Sequence, residues 1–278
     1  MPHFINFSQT LQSLDSPLIM GILNVTDDSF YDGGRYRSES AMTERAGEML
    51  RDGADIIDIG AMSTRPGAQE LPAEEEENRV RQAVATVKAS FPEAVVSIDT
   101  WRASVARTAV REGADMINDI SGGTFDPDMI PAIGEMQVPY VLMHTPAKPD
   151  KMQQCTQYDD ILADMLRFFG EQIAKLHAAH VHDIVIDPGF GFGKTVEQNH
   201  MLLDRLDELT TLFREPLLAA LSRKSMIYRP LGITPNEALD GTIALDAIAL
   251  DRGARIVRVH DPKPALETIK LLSLTINH

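Results

Sequence analysis

Three stretches of this chain repeat one short pattern, in which a glycine ends a predicted helix and a buried strand starts directly after it. The pattern is GADIID at 53–58, GADMIN at 113–118 and GARIVR at 253–258. Glycine at such a junction adopts the left-handed conformation that closes a helix, and a strand without polar alternation is buried on both faces. A chain that alternates helices with strands of this kind is restricted to folds built on a parallel sheet.

The remaining apolar runs and helical spacings extend the alternation along the chain. Further strands are predicted at 18–25, 94–100, 140–144, 183–187 and 217–222. Helices are predicted at 39–52, 73–90, 103–112, 158–179, 196–209, 236–252 and 264–274. About eight strand–helix units therefore follow a short leader at 1–16, without a change of composition that would mark a linker. We predict one α/β domain over 1–278, a (β/α)8 TIM barrel; the alternative is a doubly wound open sheet, whose usual glycine fingerprint is missing.

Composition and charge argue against several classes of function. The formal net charge of −15 disfavours nucleic acid as a partner, because binding to a polyanion rewards a basic surface. The single cysteine, Cys155, cannot form an internal disulfide and is typical of a reducing compartment. No apolar run approaches the ~20 residues of a membrane span, and the N-terminus lacks the pattern of a secretory signal. We therefore expect a cytoplasmic protein without nucleic-acid or membrane partners.

The stretch DIVIDPGFGFGKT at 183–195 combines a β-branched run, a carboxylate at its end and a loop with three alternating glycines. A phosphate-binding nucleotide loop would need glycine at 188, and a dinucleotide fingerprint would need it at 194, where the chain has proline and lysine. We interpret the segment as a buried strand followed by an aromatic loop. Asp187 then ends an apolar strand, and its charge is unfavourable there unless something binds it.

Polar side chains stand at the end of nearly every predicted strand. In a TIM barrel the carboxyl ends of the strands form the active site. The residues at these ends are Asn24, Asp58, Asp99, Asn118, Asp119, His144, Asp187, Arg223, Lys224, Arg258 and His260. Asp58 and Asp119 could instead cap the turns that follow them. His144 could be either a core histidine or a ligand.

The last predicted strand carries two cations on one face. Arg258 and His260 are two residues apart, so both point inward when Val257 and Val259 pack outward under the helices. Two cations on one inward face require an anion. Together with Asn24 and a magnesium ion, they suit a phosphate or diphosphate.

The carboxylates and the amide suit the other half of such a ligand. Asp99, Asp187 and Asn118 can bind the N–H donors and the carbonyl of a heterocycle. The residue types alone therefore predict an enzyme that handles a phosphorylated heterocycle.

The same segments closely resemble the dihydropteroate synthase family, in collinear order after the leader. The matching segments are MGILNVT at 20–26, DSF at 28–30, DGG at 32–34, STRPG at 63–67, SIDT at 97–100, IND at 117–119, DPGFGFGK at 187–194, SRKS at 222–225 and RVHD at 258–261. The family fold is a (β/α)8 barrel. The resemblance implies a transferase of folate biosynthesis, which joins 4-aminobenzoate to the methylene carbon of a dihydropterin diphosphate and releases pyrophosphate.

The resemblance also assigns roles to residues by motif. It implies that the pterin ring is held by Asp99, Asn118, Asp187 and Lys224. It implies that the diphosphate is held by Asn24, Thr64, Arg65, Arg258 and His260, with Mg2+ as the cofactor bound at Asn24. The aminobenzoate pocket would be lined by Phe192, Lys224 and Ser225, and a mobile loop would carry Phe30 and Asp32. The expected catalytic residues are Asp99, Asp187, Lys224, Asp32 and Phe30, and the expected assembly is a homodimer.

Three departures from the family pattern lie in or beside loops at the barrel mouth. Asp27 stands where proline is usual, Ala61-Met62 where Gly-Glu is expected, and Thr145 follows His144 in a segment that usually continues differently. These changes bear on loop closure and rate more than on substrate identity.

Two other functions remain open at the level of sequence. A pterin-binding methyltransferase-type domain shares the barrel and the acidic pocket, but it does not need the diphosphate residues or the segment 222–225. A non-catalytic paralogue would be expected to lose Lys224, Asp187 or Arg258, and all three are present.

Overall fold

The computed structural model describes residues 3–7, 10–25, 35–62 and 70–275. The strands are β1 (Phe4–Phe7), β2 (Thr10–Ser13), β3 (Leu18–Asn24), β4 (Ile56–Gly60), β5 (Val95–Asp99), β6 (Met116–Asp119), β7 (Tyr140–Met143), β8 (Ile184–Asp187), β9 (Leu218–Ala219) and β10 (Ile256–Val259). The helices are α1 (Arg35–Arg51), α2 (Ala73–Ser90), α3 (Ala103–Arg111), α4 (Met129–Met136), α5 (Ile161–Ala178), α6 (Val196–Asp204), α7 (Leu206–Leu212), α8 (Ser225–Leu231), α9 (Leu239–Asp251) and α10 (Pro262–Thr275). None of these helices is long and apolar enough to cross a membrane.

Strands β3 to β10 form one parallel sheet that curls into a nearly closed barrel. Their order in the sheet is β8-β7-β6-β5-β4-β3-β10-β9. The two end strands meet through a parallel bridge between Ile186 and Leu217, and the Ile186 N–H donates to the Pro216 carbonyl at 2.9 Å. Helices surround the sheet, so the predicted (β/α)8 barrel is confirmed.

Side-chain alternation along the strands separates the core from the site. Ile57 and Ile59 of β4 are buried in one apolar cluster with Val80 and Val84 of α2. Because successive residues of a strand point to opposite faces, Asp58 between the two isoleucines points into the barrel. The same alternation holds in β10, where Val257 and Val259 pack in an apolar cluster with residues of α10, as predicted.

The predicted leader at 1–16 contains a hairpin that covers the opposite end of the barrel. Strands β1 and β2 pair antiparallel. Ile5, Phe7 and Leu14 are buried against Leu18, Ile256 and other residues near the starts of the barrel strands. The barrel is therefore covered at its amino end, and its carboxyl end remains for a site.

The sequence pattern did not indicate helices α4 and α8. Helix α4 contains Pro131 and Gly134, and helix α8 contains Pro230. These residues have low helix propensity, so the local sequence does not favour a helix in either segment. Pro230 has no N–H to donate to the carbonyl of Met226, four residues earlier. That carbonyl is instead bonded by the His200 ring, whose Nε2 lies 2.9 Å away. A tertiary contact thus satisfies the group that the proline leaves unpaired.

Two predicted elements differ from the structure by more than a shift of their ends. The predicted helix 196–209 is two helices, α6 and α7, which are separated at Arg205. The predicted strand 217–222 is reduced to Leu218–Ala219, which leaves the following residues in a turn before α8.

Candidate active site

Side chains from four strands form an ionic network at the carboxyl end of the barrel. Arg258 on β10 lies at its centre, with Nε donating to Asp58 Oδ2 at 2.6 Å and Nη2 donating to Asp99 Oδ2 at 2.9 Å. Asn118 on β6 donates from Nδ2 to the same Asp58 oxygen at 3.1 Å. We call these four residues the barrel floor. The anion that Arg258 requires is thus supplied by two carboxylates of the protein itself.

Asp58 and Asp119 were both candidates for capping the turns that follow their strands, and only Asp119 does so. Asp119 accepts hydrogen bonds from the N–H groups of Ser121 and Gly123 at 2.7 and 2.9 Å, and from the Tyr140 hydroxyl at 2.6 Å. Asp119 therefore has a structural role in the turn after β6. Asp58 is not a turn cap, because its fully buried carboxylate binds Arg258 and Asn118.

The floor contains two buried acceptor atoms without a partner in the described part of the chain, Asp58 Oδ1 and Asp99 Oδ1. Burial raises the pKa of Asp99 to about 7; the Arg258 charge opposes this shift, and the Asp58 charge adds to it. A buried acceptor without a donor is unfavourable, and a ligand that brings N–H groups removes that penalty. The floor is therefore suited to a ring with several N–H donors.

Asp187 and Lys224 form a second charged group beside the floor. Asp187 Oδ1 accepts from the Gly189 N–H at 2.7 Å, and burial raises the pKa of this carboxyl against the opposing effect of Lys224. The Lys224 ammonium donates to the Phe190 carbonyl at 2.6 Å and lies 5.0 Å from the centre of the Phe192 ring. Burial lowers the pKa of Lys224 to about 8, with Asp187 opposing. A carboxylate, an ammonium and an aromatic face thus meet in one place.

The residues around His260 connect the loops after β9 and β10. His260 Nδ1 lies 2.9 Å from Ser222 Oγ, and the His260 carbonyl accepts from Arg45 Nη2 at 2.7 Å. Arg223 donates from Nε and Nη2 to the Asp261 carboxylate at 3.0 and 2.9 Å. Arg223 is therefore a link between two loops, and Lys224 and Ser225 remain from this segment as candidates for ligand binding.

Asn24 stands at the edge of the floor. It is exposed at the end of β3. Gly60 lies between Asn24 and Asp99: a Cβ placed on Gly60 would be 3.3 Å from Asn24 Oδ1 and 3.9 Å from Asp99 Oδ2. The residues that the structure describes contain no group of three or more His, Cys, Asp or Glu side chains that could hold a metal ion. Mg2+ typically keeps several waters and takes its other ligands from one or two protein oxygens and substrate phosphates. The Asn24 amide oxygen fits a magnesium ion of that kind.

His144 is a core residue. It is buried, its ring packs edge-on against Phe168 with ring centres 5.1 Å apart, and burial lowers its pKa well below 6.5. Five residues singled out in the sequence lie outside the described ranges, and their roles stay predictions: Asp27, Phe30, Asp32, Thr64 and Arg65.

Sequence reasoning missed two parts of this arrangement. It did not place Asp58 in the floor, although alternation with Ile57 and Ile59 and the need of Arg258 for an anion both pointed to it. It also gave no role to Lys194, which is buried beside the loop that carries Phe192. No local pattern distinguishes a lysine that binds backbone carbonyls from one that binds a ligand.

A parallel (β/α)8 barrel with charged side chains gathered at the carboxyl ends of its strands has the arrangement of a TIM-barrel enzyme. Comparison with known proteins gives the family. The model of the family described as pterin binding enzyme matches residues 20–260. The chain is 42% identical over 270 residues to the dihydropteroate synthase of Escherichia coli strain K12, covering 96% of this chain and 95% of that protein. It is 41% identical over 265 residues to that of Bacillus subtilis strain 168, covering 95% and 90%. The chain belongs to the pterin binding enzyme family.

Solved structures agree with this placement. The Yersinia pestis dihydropteroate synthase with a sulfonamide drug complex has a TM-score of 0.92 to this chain at 38% identity, covering 99% of this chain and 100% of that one. The Xanthomonas albilineans dihydropteroate synthase with 4-aminobenzoic acid has a TM-score of 0.91 at 36% identity and covers 100% of both chains.

Proposed function

We propose that this protein is a transferase that makes 7,8-dihydropteroate in folate biosynthesis. It condenses (7,8-dihydropterin-6-yl)methyl diphosphate with 4-aminobenzoate and releases pyrophosphate. The observation that carries the proposal is the carboxylate network around Arg258, in a chain 42% identical to a dihydropteroate synthase over 96% of its length. The test is the release of pyrophosphate from the pterin diphosphate in the presence and absence of 4-aminobenzoate.

The pterin ring is held at the ring end of the site, which consists of Asp99, Asn118, Asp187 and Lys224. The unpartnered oxygen of Asp99 accepts from the ring N–H groups, and Asp187 is a second carboxylate with the same capacity. Lys224 carries donors that can reach a ring acceptor while one of them stays bound to the Phe190 carbonyl.

The diphosphate is held at the phosphate end, by Asn24, Thr64, Arg65, Arg258 and His260. Arg258 uses Nε and one Nη2 proton for the two carboxylates of the floor. Since a guanidinium has five N–H donors, it can keep both carboxylates and still donate to a phosphate oxygen. Asn24 would bind the Mg2+ that accompanies the diphosphate.

The chemistry needs no side-chain nucleophile. The bond between the pterin methylene carbon and the diphosphate oxygen breaks, and its electron pair leaves with the diphosphate. Mg2+, when bound, neutralises part of the charge that develops on this leaving group. Arg258 and His260 stabilise the rest, while the carboxylates of Asp99 and Asp187 favour the positive charge that spreads into the pterin ring. The amine nitrogen of 4-aminobenzoate then bonds to the methylene carbon and loses a proton.

The aminobenzoate lies between Phe192, Lys224 and Ser225. Lys224 and the first turn of α8, which begins at Ser225, offer positive charge and N–H donors to its carboxylate. Phe192 offers an apolar face to its ring. Phe30 and Asp32 lie outside the described residues, and the family resemblance assigns them to a loop that would close over the intermediate. Asp32 would act there with Asp99, Asp187 and Lys224 in catalysis.

We also propose that the protein is a cytoplasmic homodimer with a single domain and without nucleic-acid partners. Ile248 on α9 and Leu271 and Leu274 on α10 are exposed apolar side chains on two helices that pack against each other. A second copy would cover such a surface. Sedimentation equilibrium distinguishes this dimer from a monomer.

A further inference from the structure

The aromatic loop after β8 is held by an unusual set of hydrogen bonds. Gly189, Gly191 and Gly193 adopt positive φ values of 69, 84 and 59°. This backbone turns successive carbonyl groups in different directions, so that they cannot pair as they would in a regular element. A Cβ at Gly189 would overlap the His144 carbonyl oxygen, and a Cβ at Gly193 would overlap the Pro146 ring, so the loop also packs tightly on the segment after β7.

Each of the five carbonyl groups from 189 to 193 accepts a hydrogen bond from a side chain. Lys194 Nζ donates to the carbonyls of Gly189 and Phe192, both at 3.0 Å. The other three donors are Lys224 to Phe190 at 2.6 Å, Gln153 to Gly191 at 2.9 Å and Tyr158 to Gly193 at 3.0 Å. Within the loop, the Phe192 N–H also donates to the Gly189 carbonyl at 3.1 Å. Side chains from outside the loop therefore supply most of the hydrogen bonds to its carbonyl groups.

Lys194 is the most buried of the donors to this loop. It is 4% exposed, and its ammonium also donates to the His144 carbonyl at 3.3 Å, which links the loop to the end of β7. In the part of the chain that the structure describes, Lys194 forms no ion pair within 4.0 Å, and three backbone carbonyls accept its hydrogen bonds. Burial lowers the pKa of Lys194 to about 7, and the Asp187 charge opposes this shift. Removing an ammonium group from water costs free energy, so an uncharged side chain would be more favourable here if the position only had to be filled.

The loop in turn determines where Lys224 and the aromatic face lie. Lys224 is anchored to the Phe190 carbonyl, its ammonium lies 5.0 Å from the Phe192 ring centre, and a Cβ at Gly191 would lie 3.3 Å from Lys224 Cδ. A shift of the loop would therefore move Phe192 and Lys224 together. The floor residues, by contrast, are fixed by bonds among themselves.

We propose that Lys194 and Tyr158 are positioning residues for the arylamine substrate: they touch no substrate, and they fix the loop on which the Phe192–Lys224 face depends. This inference rests on the proposed function. It predicts a division of effects, in which loss of these donors weakens the use of 4-aminobenzoate more than pterin binding, because Lys224 is only one of the four residues assigned to the pterin ring.

The test compares two substitutions with one control. Lys194→Met keeps the length of the side chain and removes its donors, and Tyr158→Phe removes a single hydroxyl and is the safer variant for folding. The control is Lys88→Met, because Lys88 Nζ also donates to a backbone carbonyl, that of Ala94 at 2.8 Å, near the start of β5 and away from the site. Lys88 also pairs with Asp115 at 2.6 Å, so circular dichroism first verifies that this variant is folded. Steady-state kinetics give KM for 4-aminobenzoate and kcat, and calorimetry gives Kd for the pterin alcohol.

The expected result is a selective rise in one constant. KM for 4-aminobenzoate should rise about tenfold in Lys194→Met and about threefold in Tyr158→Phe, because the first variant loses two hydrogen bonds to the loop and the second loses one. Kd for the pterin alcohol should stay within about twofold, because Asp99, Asn118 and Asp187 still hold the ring, and kcat should fall by less than KM rises. Lys88→Met should change none of the three constants by more than about twofold. An unchanged KM in both folded variants, or a Kd for the pterin alcohol that rises in parallel with KM, would overturn the inference.

A second measurement separates this inference from the proposed function. Hydrogen exchange of the peptide covering 189–193, without any ligand, should be faster in both variants than in the wild type and unchanged in Lys88→Met. If the wild type formed no dihydropteroate, the proposed function would fail, and the exchange result would still decide whether these side chains hold the loop. Equal exchange in all four proteins would contradict their positioning role.

Discussion

Arg258 neutralises two buried carboxylates, so we expect its removal to affect stability as well as binding. Arg258→Ala should lower the free energy of unfolding by about 3–5 kcal/mol at neutral pH, because it leaves Asp58 and Asp99 buried without their cation. Burial already raises the pKa of Asp99 to about 7, and loss of Arg258 raises it further. The folded variant then binds protons that the unfolded chain has released, so its stability falls as the pH rises.

Urea denaturation of Arg258→Ala measures this effect at two pH values. The destabilisation relative to the wild type should be smaller near pH ~5 than near pH ~8. Arg205→Ala is the control, because Arg205 pairs with Glu208 on the surface and its loss should change little at either pH. A destabilisation that did not depend on pH would show that the two carboxylates are not held as described.

Asp187 gives the sharpest test of ring recognition at the residue scale. Asp187→Asn replaces a charged acceptor at the end of β8 with an amide, and affinity for the pterin alcohol should fall by about 1.5–3 kcal/mol. Calorimetry measures the affinity. Asp183→Asn is the matched control, since Asp183 precedes the same strand and bonds the Asn6 N–H at the opposite end of the barrel. Unchanged affinity in folded Asp187→Asn would remove Asp187 from the pterin site.

At the scale of elements, the amino-terminal hairpin is expected to contribute to the core. Ile5 is 1% exposed beneath the barrel, whereas Leu11 on the paired strand is 65% exposed. Ile5→Ala should lower the free energy of unfolding by about 2–5 kcal/mol, and Leu11→Ala by far less. Denaturant titration measures both. If the two variants were equally stable, the hairpin would be an appendage of the barrel and not part of its core.

Helix α9 contains a second buried acid, and it lies outside the site. Asp246 is 2% exposed, its Oδ1 has no partner among the described residues, and burial raises its pKa to about 8. A carboxyl whose pKa is raised in the folded state destabilises the protein progressively as the pH rises between the unfolded and folded pKa values.

Asp246→Asn removes this titration and keeps the shape of the side chain. Its stability relative to the wild type should increase between pH ~4 and pH ~8 by at most about 1.4 kcal/mol per pH unit, and level off above that range. Thermal unfolding across the pH range tests this. Asp251→Asn, near the end of the same helix and exposed, should show no such trend. A constant difference between Asp246→Asn and the wild type would mean that Asp246 does not titrate in this range.

Elements differ in how far the sequence predicts them, for a physical reason. Barrel strands such as Ile56–Gly60 and Val95–Asp99 consist mostly of apolar residues and are buried on both faces almost throughout, and local sequence shows such strands directly. Helices α4 and α8 contain proline or glycine and are stabilised by tertiary contacts such as that of His200 with Met226. Local patterns cannot show such contacts.

In the site, too, local sequence predicts some features, and others depend on tertiary contacts. Their positions at the ends of predicted strands placed Asp99, Asn118 and Asp187 at one end of the barrel. The pairs that form the floor join residues 200 and 159 positions apart, Arg258 with Asp58 and Arg258 with Asp99. Side-chain pairing over such separations depends on the closed barrel, so it became visible only in the structure.

At the scale of the whole molecule, the barrel has two ends with different tasks. A hairpin covers the amino end with apolar side chains, and the carboxyl end concentrates buried carboxylates and cations. Two of the three departures from the family pattern, Met62 and Thr145, follow strands β4 and β7 at the carboxyl end, and Asp27 lies outside the described residues. The segments that contain Asp99, Asn118, Arg258 and the aromatic loop are among those that resemble the family.

The most direct test of the proposed activity follows both products in one reaction. The purified protein is incubated with (7,8-dihydropterin-6-yl)methyl diphosphate and Mg2+, with or without 4-aminobenzoate, and pyrophosphate and dihydropteroate are quantified together. We predict equal amounts of the two products with 4-aminobenzoate, little pyrophosphate without it, and loss of both when the magnesium is chelated. Release of pyrophosphate without dihydropteroate, or no reaction in the correctly folded protein, would contradict the proposed function.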